Sequence, residues 1–326
     1  MRSEIDLFRA LTERCAISLE RTKRFLKKKG LPEKDLAGLP TSEKMFPDGA
    51  QYRIEIPSVE SPEQLRKVLE KAEEYDVPVH RISQGSGVML LTDREIEEMV
   101  EIGRSERIEV SLFTGPRASY DVGGTARSAN ALAVAWRVRG SDQLVHAIED
   151  IKRGIQLGIK SFLVSDEGLL WVLNDMRKEG EIPKDVIWKI SVTTGCGNPA
   201  SALLFQRLGA GTLNVATDLT LSQLAAIRYA IEIPLDVYVA VPTGYGGFIR
   251  HFEAPEMVRV ASPIYQKFSI PLGQNIYPAG KHILGTMLGY AEEEVRQAKL
   301  SYLNILRYYP KAKISKKGAK GLAIPG

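Results

Sequence analysis

Short apolar runs alternate with amphipathic stretches along most of the chain. The runs have the length of β-strands, and the stretches between them carry apolar residues at helical spacing. Several of the stretches begin with a capping sequence: SPEQ at 61–64, TDRE at 92–95 and TLSQ at 220–223. In each, a Ser or Thr is followed three residues later by Gln or Glu, which together satisfy the first free N–H groups of a helix. The pattern therefore predicts a repeated strand–helix unit.

Eight such units are predicted, and their spacing favours a closed (βα)8 TIM barrel. The predicted strands are residues 52–57, 79–84, 108–113, 161–166, 187–193, 212–217, 235–241 and 262–268. The strand starts lie 23 to 29 residues apart, except for an interval of 53 residues after the third strand. An open doubly wound sheet is the alternative, but no glycine-rich dinucleotide-binding turn follows the first strand.

The barrel occupies only part of the chain. The sequence predicts an N-terminal helical extension and connector over 1–50, a barrel over 51–283, and a C-terminal helix with a basic tail over 284–326. The first 29 residues are predicted to be helical, up to Gly30 and Pro32. We expect the C-terminal helix to lie outside the eight-fold unit.

Polar side chains recur at alternate positions of the predicted strands, as in QYRIEIPS at 51–58. The polar set is Arg53, Glu55, Arg81, Ser83, Glu109, Ser111, Lys189, Ser191, Thr193, Asn214, Asp236, Tyr265 and Lys267. The apolar set is Ile54, Val79, Val110, Leu163, Trp188, Ile190, Val215, Val237 and Ile264. Val79 falls in step with Arg81, so the pattern does not fix how the second strand faces.

A barrel strand has one face against the helices and one face in the lumen. If the polar set faces inward, the barrel is filled by a charged network whose cations and anions must pair, because an unpaired buried charge costs several kcal/mol. The alternative places some of these charges at strand ends, in contact with water.

The composition is that of a globular protein, with 326 residues and a net charge of +4. Basic runs at 21–30 and 310–321 favour solvated surface or a loose tail over nucleic-acid binding. The charged N-terminus does not resemble a signal peptide, and no apolar stretch has membrane-spanning length. A cytoplasmic protein without a membrane partner is therefore expected.

Metal and thiol chemistry have little support in the sequence. The four histidines show no metal-binding spacing. Cys15 and Cys196 are too few for a disulfide framework or a four-cysteine cluster. A divalent metal bound by carboxylates such as Glu55, Asp166 or Glu167 stays open, and the cofactor is unknown.

Candidate site residues follow from the rule that barrel enzymes place their active site at the C-terminal ends of the strands. Glu55 is the candidate general acid or base, and Lys267 and Lys189 are candidate electrostatic or nucleophilic partners. The candidates for substrate binding are Arg81, Ser83, Gln84, Arg117, Asp166, Thr193, Asn214, Asp218 and Tyr265.

Structural roles compete with these assignments. Asp166 and Asp218 could serve helix N-termini, Lys189 could form a structural ion pair, and Cys196 could be an inert buried thiol.

A candidate anion-binding loop follows the seventh strand, where barrels often bind phosphate. Its sequence is PTGYGGF at 242–248, with Gly244, Gly246 and Gly247. Free backbone N–H groups in such a loop can hold an anion, although glycines also serve tight turns.

Residues 211–268, which include GTLNVATDLTLSQLAAIRYAIEIPLDVYVAVPTGYGGF, resemble the peptidase U32 family. The resemblance implies a barrel and the hydrolysis of a peptide-like amide. Family members carry cysteines after the matching strand, and several use them to hold an iron–sulfur cluster. Here residues 240–244 read AVPTG, so no iron–sulfur cluster is expected.

The leading hypothesis is a U32-like barrel hydrolase acting on a small polar or anionic metabolite or a peptide-like amide. The alternative within enzymes is aldolase- or lyase-type chemistry that uses a barrel lysine or a carboxylate-bound metal. A non-catalytic RNA-associated protein is the third hypothesis, although nucleic acid is a disfavoured partner. A homo-oligomer is also expected. A further hypothesis is a subunit whose helical tail over 291–309 only mediates assembly.

Overall fold

Eight parallel strands close into a barrel in chain order, as predicted. The computed structural model describes residues 19–124, 126, 128 and 131–326. The strands are β1 (Tyr52–Pro57), β2 (Arg81–Ser83), β3 (Glu109–Phe113), β4 (Ser161–Val164), β5 (Ile187–Ile190), β6 (Thr212–Asn214), β7 (Leu235–Ala240) and β8 (Ile264–Phe268). β1 pairs with β8 and closes the ring, so that Arg53 lies beside Tyr265 and Glu55 beside Lys267.

Several strands end earlier than predicted because their last residues enter loops that lead to the next helix. After β5, residues Val192–Thr194 form a 3-10 turn, and the Ser191 side chain accepts a hydrogen bond from the Thr193 backbone N–H. After β4, Asp166 caps the following helix. These loops form the C-terminal end of the barrel, where a barrel enzyme has its active site.

The helices follow the strands. They are α1 (residues 19–28), α2 (Pro62–Glu74), α3 (Asp93–Ser105), α4 (Leu132–Ala135), α5 (Gly140–Gln156), α6 (Glu167–Glu179), α7 (Pro199–Arg207), α8 (Leu221–Ala230), α9 (Ala254–Ala261) and α10 (Leu284–Tyr308). The predicted caps are confirmed at Ser61, Thr92 and Thr220. The prediction for residues 1–18, which include Cys15, lies outside the described residues.

Helix α10 packs against α9 and α2 and against strands β8 and β1. Its apolar stripe, with Ala291, Val295, Ala298 and Ile305, is buried against the barrel. The helix therefore takes the eighth position in the helical ring, whereas the sequence pattern placed it outside the barrel unit. Among the described residues, no helix is long and apolar enough to span a membrane.

The basic C-terminal segment is ordered and closes the N-terminal end of the barrel. Arg53 donates to Ser315 Oγ at 2.9 Å and to the Lys320 carbonyl at 2.7 Å. The backbone N–H of Ala323 donates to Glu109 Oε2 at 3.3 Å. This segment is therefore part of the fold and not a loose tail.

The apolar core lies between the strands and the helices. Ile54, Val110, Trp188, Val237 and Ile264 are buried in this layer, as the apolar set predicts. Leu163 is the exception, because it pairs in register with Lys189 and its side chain lies in the lumen with that lysine. Val79 is buried but precedes β2, which resolves the phase conflict of the second strand.

Candidate functional site

The lumen contains the predicted charged network. Arg81 on β2 lies at its centre, with its Nε at 2.7 Å from Glu55 Oε2 and its Nη2 at 2.5 Å from Asp236 Oδ1. Its Nη1 is 3.5 Å from Glu109 Oε1, and its guanidinium lies 3.5 Å from the centre of the Tyr265 ring. Alternate strand residues with opposite charges thus meet in the barrel, and the predicted polar interior is confirmed.

Glu55 is the carboxylate on which the network converges. Arg81 and Lys189 donate to it, Lys267 Nζ lies 3.1 Å from its Oε1, and Ser83 Oγ donates to the same oxygen at 2.6 Å. Burial disfavours the charged form, but the three neighbouring cations outweigh it and hold the pKa of Glu55 well below its ordinary value. Glu55 is therefore ionised and fully occupied by internal partners.

The pKa values of the two lumen lysines are shifted in opposite directions. Burial, with the charge of Lys267 nearby, holds the pKa of Lys189 well below its ordinary value in spite of Glu55. Burial also acts against the charge of Lys267, but Glu55 and then Tyr238 raise its pKa above the ordinary value. Lys267 Nζ donates to Asn214 Oδ1 at 2.7 Å and lies 4.5 Å from the centre of the Tyr238 ring. Lys267 is thus a firmly held ammonium group.

Above this network, a cavity of ≈ 330 Å³ opens at the C-terminal end of the barrel. Leu163, Ser191, Asn214 and Lys267 line it from the strands and their ends. The loop after β7 and the loop between β8 and α10 supply much of the remaining lining. The volume is at the lower end of the range for small-molecule sites.

One wall of the cavity is aromatic. The rings of Phe113 and Trp136 have centres 5.4 Å apart, and Trp136 meets Tyr277 edge-on at 5.8 Å. Tyr277 also shares a hydrogen bond of 2.6 Å with Ser58. Arg117 lies behind this wall with its guanidinium 4.0 Å from the centre of the Trp136 ring.

Glu294 of α10 is the unusual group of the cavity. Its side chain lines the cavity and is fully buried, and neither carboxyl oxygen has a hydrogen-bond partner among the described residues. Burial, and then the charge of Glu60, raise the pKa of Glu294 well above its ordinary value, which favours the protonated acid. A buried polar group without a partner is costly, which suggests that a ligand satisfies it.

Four of the predicted site residues line the cavity: Thr193, Asn214, Gly244 and Lys267. Thr193 Oγ1 donates to Ser191 Oγ at 2.9 Å. Gly246 and Gly247 lie in the same loop as Gly244, with φ of 113° and 63°, conformations that glycine adopts without strain. Anion binding by this loop stays a prediction.

The other predicted residues lie elsewhere. Glu55, Ser83, Arg81, Lys189 and Tyr265 belong to the lumen network and do not line the cavity.

The Gln84 side chain has a structural role. Its Nε2 donates to the Gly87 carbonyl, and its Oε1 accepts from the Gly87 N–H. Arg117 donates to the Gly85 carbonyl at 2.9 Å. Asp166 accepts from the Leu169 N–H at 2.9 Å as a helix cap, and Asp218 is exposed. The structure therefore does not bring these four residues to the cavity surface.

The sequence pattern missed Glu294, Tyr238 and the aromatic wall. Glu294 belongs to the run AEEEVRQ, which is typical of a solvated helix face. A signal was nevertheless present, because residue 294 falls on the buried stripe of α10 between Ala291 and Ala298. A carboxylate at an apolar position of the helical period is the feature that would have identified it.

Cys196 and His251 do not contribute to the cavity. Burial raises the pKa of the Cys196 thiol to about 12, so the thiolate is not available at neutral pH. His251 contacts Gln297 at 2.7 Å and does not line the cavity. Within the described residues, no group of three His, Cys, Asp or Glu side chains could hold a metal ion.

Comparisons with known proteins return solved structures of low sequence identity. No family model matches the chain, and no curated protein matches it. A solved U32 peptidase is 18% identical over 63% of this chain and 77% of its own, with a TM-score of 0.37. A truncated 3-deoxy-D-arabino-heptulosonate 7-phosphate synthase from Thermotoga maritima is 14% identical over 82% of this chain and 91% of its own, with a TM-score of 0.44. A 3-hexulose-6-phosphate synthase is 12% identical over 76% of this chain and 99% of its own, with a TM-score of 0.41. At these identities and TM-scores, the similarities carry no information on activity.

Proposed function

We propose that the protein is a barrel enzyme that exchanges a proton with a small organic acid or carbonyl compound, in a lyase- or isomerase-type reaction. The observation that supports this most directly is the pair of groups in one cavity. Lys267 provides a held ammonium, and Glu294 provides a carboxyl group that has no partner among the described residues and whose raised pKa favours the protonated form. Together they offer a charge to stabilise an oxyanion and a group to transfer a proton.

Lys267 would act electrostatically. Its ammonium would bind a carboxylate, or the negative charge that develops on a carbonyl oxygen when the adjacent carbon loses a proton to the ionised form of Glu294, which returns a proton to carbon in the reverse step. Schiff-base formation requires a neutral amine, and Glu55 acts against that state by raising the pKa of Lys267. Lys189 has a lowered pKa but lies in the lumen network and does not line the cavity.

Glu55 and Asn214 would be positioning residues. Both hold the Lys267 ammonium, at 3.1 and 2.7 Å. The acid–base role first assigned to Glu55 passes in this proposal to Glu294, because Glu55 is saturated by internal donors. Ser191 and Thr193 would offer hydroxyl groups to the bound molecule.

Hydrolysis of a peptide-like amide is the second candidate, favoured by the resemblance of residues 211–268 to the peptidase U32 family. Lys267 would polarise the amide carbonyl, and Glu294 would protonate the leaving nitrogen. This reaction also needs a nucleophile or a base for water. The described residues that line the cavity include no histidine or cysteine, so we place hydrolysis second.

The test is deuterium incorporation from heavy water next to the carbonyl of a panel of 2-oxo acids, followed by NMR. The wild-type protein should catalyse exchange of at least one panel member. Lys267→Met and Glu294→Gln should each reduce the rate about a hundredfold or more. The exposed Asp218→Asn is the control and should leave the rate unchanged.

Retention of exchange by Glu294→Gln would overturn the assignment of the proton-transfer group. Cleavage of an amide panel without any exchange would instead support the second candidate.

A further inference from the structure

We infer that the cavity binds a zwitterionic, amino-acid-like molecule, with its carboxylate on Lys267 and its ammonium on Glu294. This inference rests on the proposed function for the identity of the cavity as the active site. It adds the substrate class, which the proton-transfer chemistry alone does not specify.

The Lys267 end of the cavity is suited to a carboxylate. A lysine ammonium has three N–H donors. Lys267 donates to Asn214 Oδ1 at 2.7 Å and forms an ion pair with Glu55 Oε1 at 3.1 Å. Since Lys267 also lines the cavity, its positive charge can attract a ligand carboxylate there.

The Glu294 end is suited to an ammonium. Both of its oxygens lack a partner among the described residues, and the side chain is fully buried. A ligand hydroxyl would donate to only one of these oxygens, whereas an ammonium has donors for both. The aromatic wall of Phe113, Trp136 and Tyr277 adds ring faces that stabilise a nearby cation.

The two ends belong to one small cavity. Tyr238 lines it beside Lys267, whose Nζ lies 4.5 Å from the centre of the Tyr238 ring, and Glu294 lines the same cavity. A volume of ≈ 330 Å³ fits a small molecule that carries both charged groups.

The arrangement has a consequence for protons. In the empty cavity burial and the charge of Glu60 favour the protonated form of Glu294. A ligand ammonium favours the carboxylate, so binding should expel the Glu294 proton to solvent. The neighbouring Tyr238 and Tyr277 stay protonated because burial raises the pKa of both hydroxyls.

The test uses the full chain and the complete set of standard L-amino acids, screened at millimolar concentration by thermal shift. The tightest binder is then compared by calorimetry with its deaminated acid and its decarboxylated amine. Titrations in phosphate and in Tris report proton release through the difference in buffer ionisation heat.

We expect at least one amino acid to bind with release of about one proton at neutral pH. Each analogue that lacks one charged group should bind at least tenfold more weakly. Glu294→Gln should abolish proton release and weaken binding of the amino acid at least tenfold. Lys267→Met should weaken binding of both the amino acid and the deaminated acid. Asp218→Asn should behave like the wild type.

Absence of binding by every amino acid overturns the inference, as does a deaminated acid that binds equally well without proton release. If proton exchange on 2-oxo acids still depends on Lys267 and Glu294 in that case, the proposed function survives alone. If exchange is independent of both residues, the proposed function fails as well.

Discussion

Identical side chains in this protein have opposite protonation behaviour because of their neighbours. Glu55 and Glu294 are both fully buried, but three cations keep Glu55 ionised while Glu294 has no donor among the described residues. Lys267 and Lys189 both approach Glu55, yet the pKa of Lys267 is raised and that of Lys189 is lowered. The pKa of each of these side chains therefore depends on the neighbouring groups and not on the residue type alone.

His80 provides a prediction about acid stability. Its Nδ1 accepts from the Ile54 N–H at 3.0 Å, so Nε2 carries the proton and donates to the Ser315 carbonyl at 2.8 Å. Burial lowers the pKa of His80 to about 4, whereas the unfolded histidine titrates near its ordinary value. Between these values the unfolded chain binds the additional proton, so the free energy of unfolding should fall as the pH falls.

From pH 7 to pH 5, this one group should remove about 2 kcal/mol of stability. Urea unfolding at the two pH values measures the loss in the wild type and in His80→Gln, which has no titrating group. The wild type should lose about 2 kcal/mol more than the variant. Parallel pH dependence in the two proteins would show that folding does not lower the pKa of His80.

At the scale of elements, the C-terminal segment covers the N-terminal end of the barrel. Ser315 is its central residue, with its hydroxyl on Arg53, its carbonyl on His80, and its N–H donating to the Tyr52 carbonyl at 3.2 Å. The lysine side chains of this segment, such as Lys316 and Lys317, remain exposed. Different side chains of this segment thus make its contacts with the barrel and carry its exposed positive charge.

Replacing Ser315 by Ala should lower the free energy of unfolding by about 1–3 kcal/mol, because it leaves a buried Arg53 donor without its acceptor. Lys316→Gln is the matched control in the same segment and should change stability by less than about 0.5 kcal/mol. Urea unfolding compares the two. Equal stability of both variants would show that the segment does not cap the barrel energetically.

The exposed lysines can therefore be changed without removing the segment, which tests the RNA-associated alternative. Neutralising Lys316 and Lys317 together leaves the backbone of the cap in place. A loss of salt-sensitive RNA binding in that double variant would support the alternative, whereas removal of the whole segment would also uncover the lumen.

At the scale of the whole molecule, the barrel is held by two interiors of different character. The layer between strands and helices is apolar, whereas the lumen contains three cations, Arg81, Lys189 and Lys267, and three carboxylates, Glu55, Glu109 and Asp236. Ion pairs of this kind contribute little net stability but penalise any state that separates them. The network therefore favours the one register in which the eight strands bring all six charges together.

Removing one carboxylate of this network should be costly. Glu55→Gln leaves Arg81, Lys189 and Lys267 underpaired, so we expect a loss of about 3–5 kcal/mol in the free energy of unfolding. The half-exposed Glu106, which pairs with Lys317 at 2.7 Å, is the control, and Glu106→Gln should cost less than about 1 kcal/mol. A loss below 1 kcal/mol for Glu55→Gln would indicate that water or relaxation replaces the missing charge.

The strands, the capping sequences and the polar interior could be predicted because each is a local or periodic feature. Alternation along β1 and β8, for example, places Glu55 and Lys267 on the inner face without any knowledge of their partners. Leu163 was assigned to the wrong face because an apolar residue in a mostly polar lumen has no sequence mark of its own. Glu294 was missed because a charge run on a helix is more often solvated than buried.

The sequence by itself therefore determined the repeat, the closed ring and the inward facing of most lumen charges, because backbone periodicity and helix capping involve residues a few positions apart. Only the tertiary structure decided that Lys267 meets Glu55, that α10 completes the ring, and that Glu294 lines the same cavity as Lys267. Burial and pKa depend on distances between residues far apart in the chain, and these distances exist only once the barrel is closed.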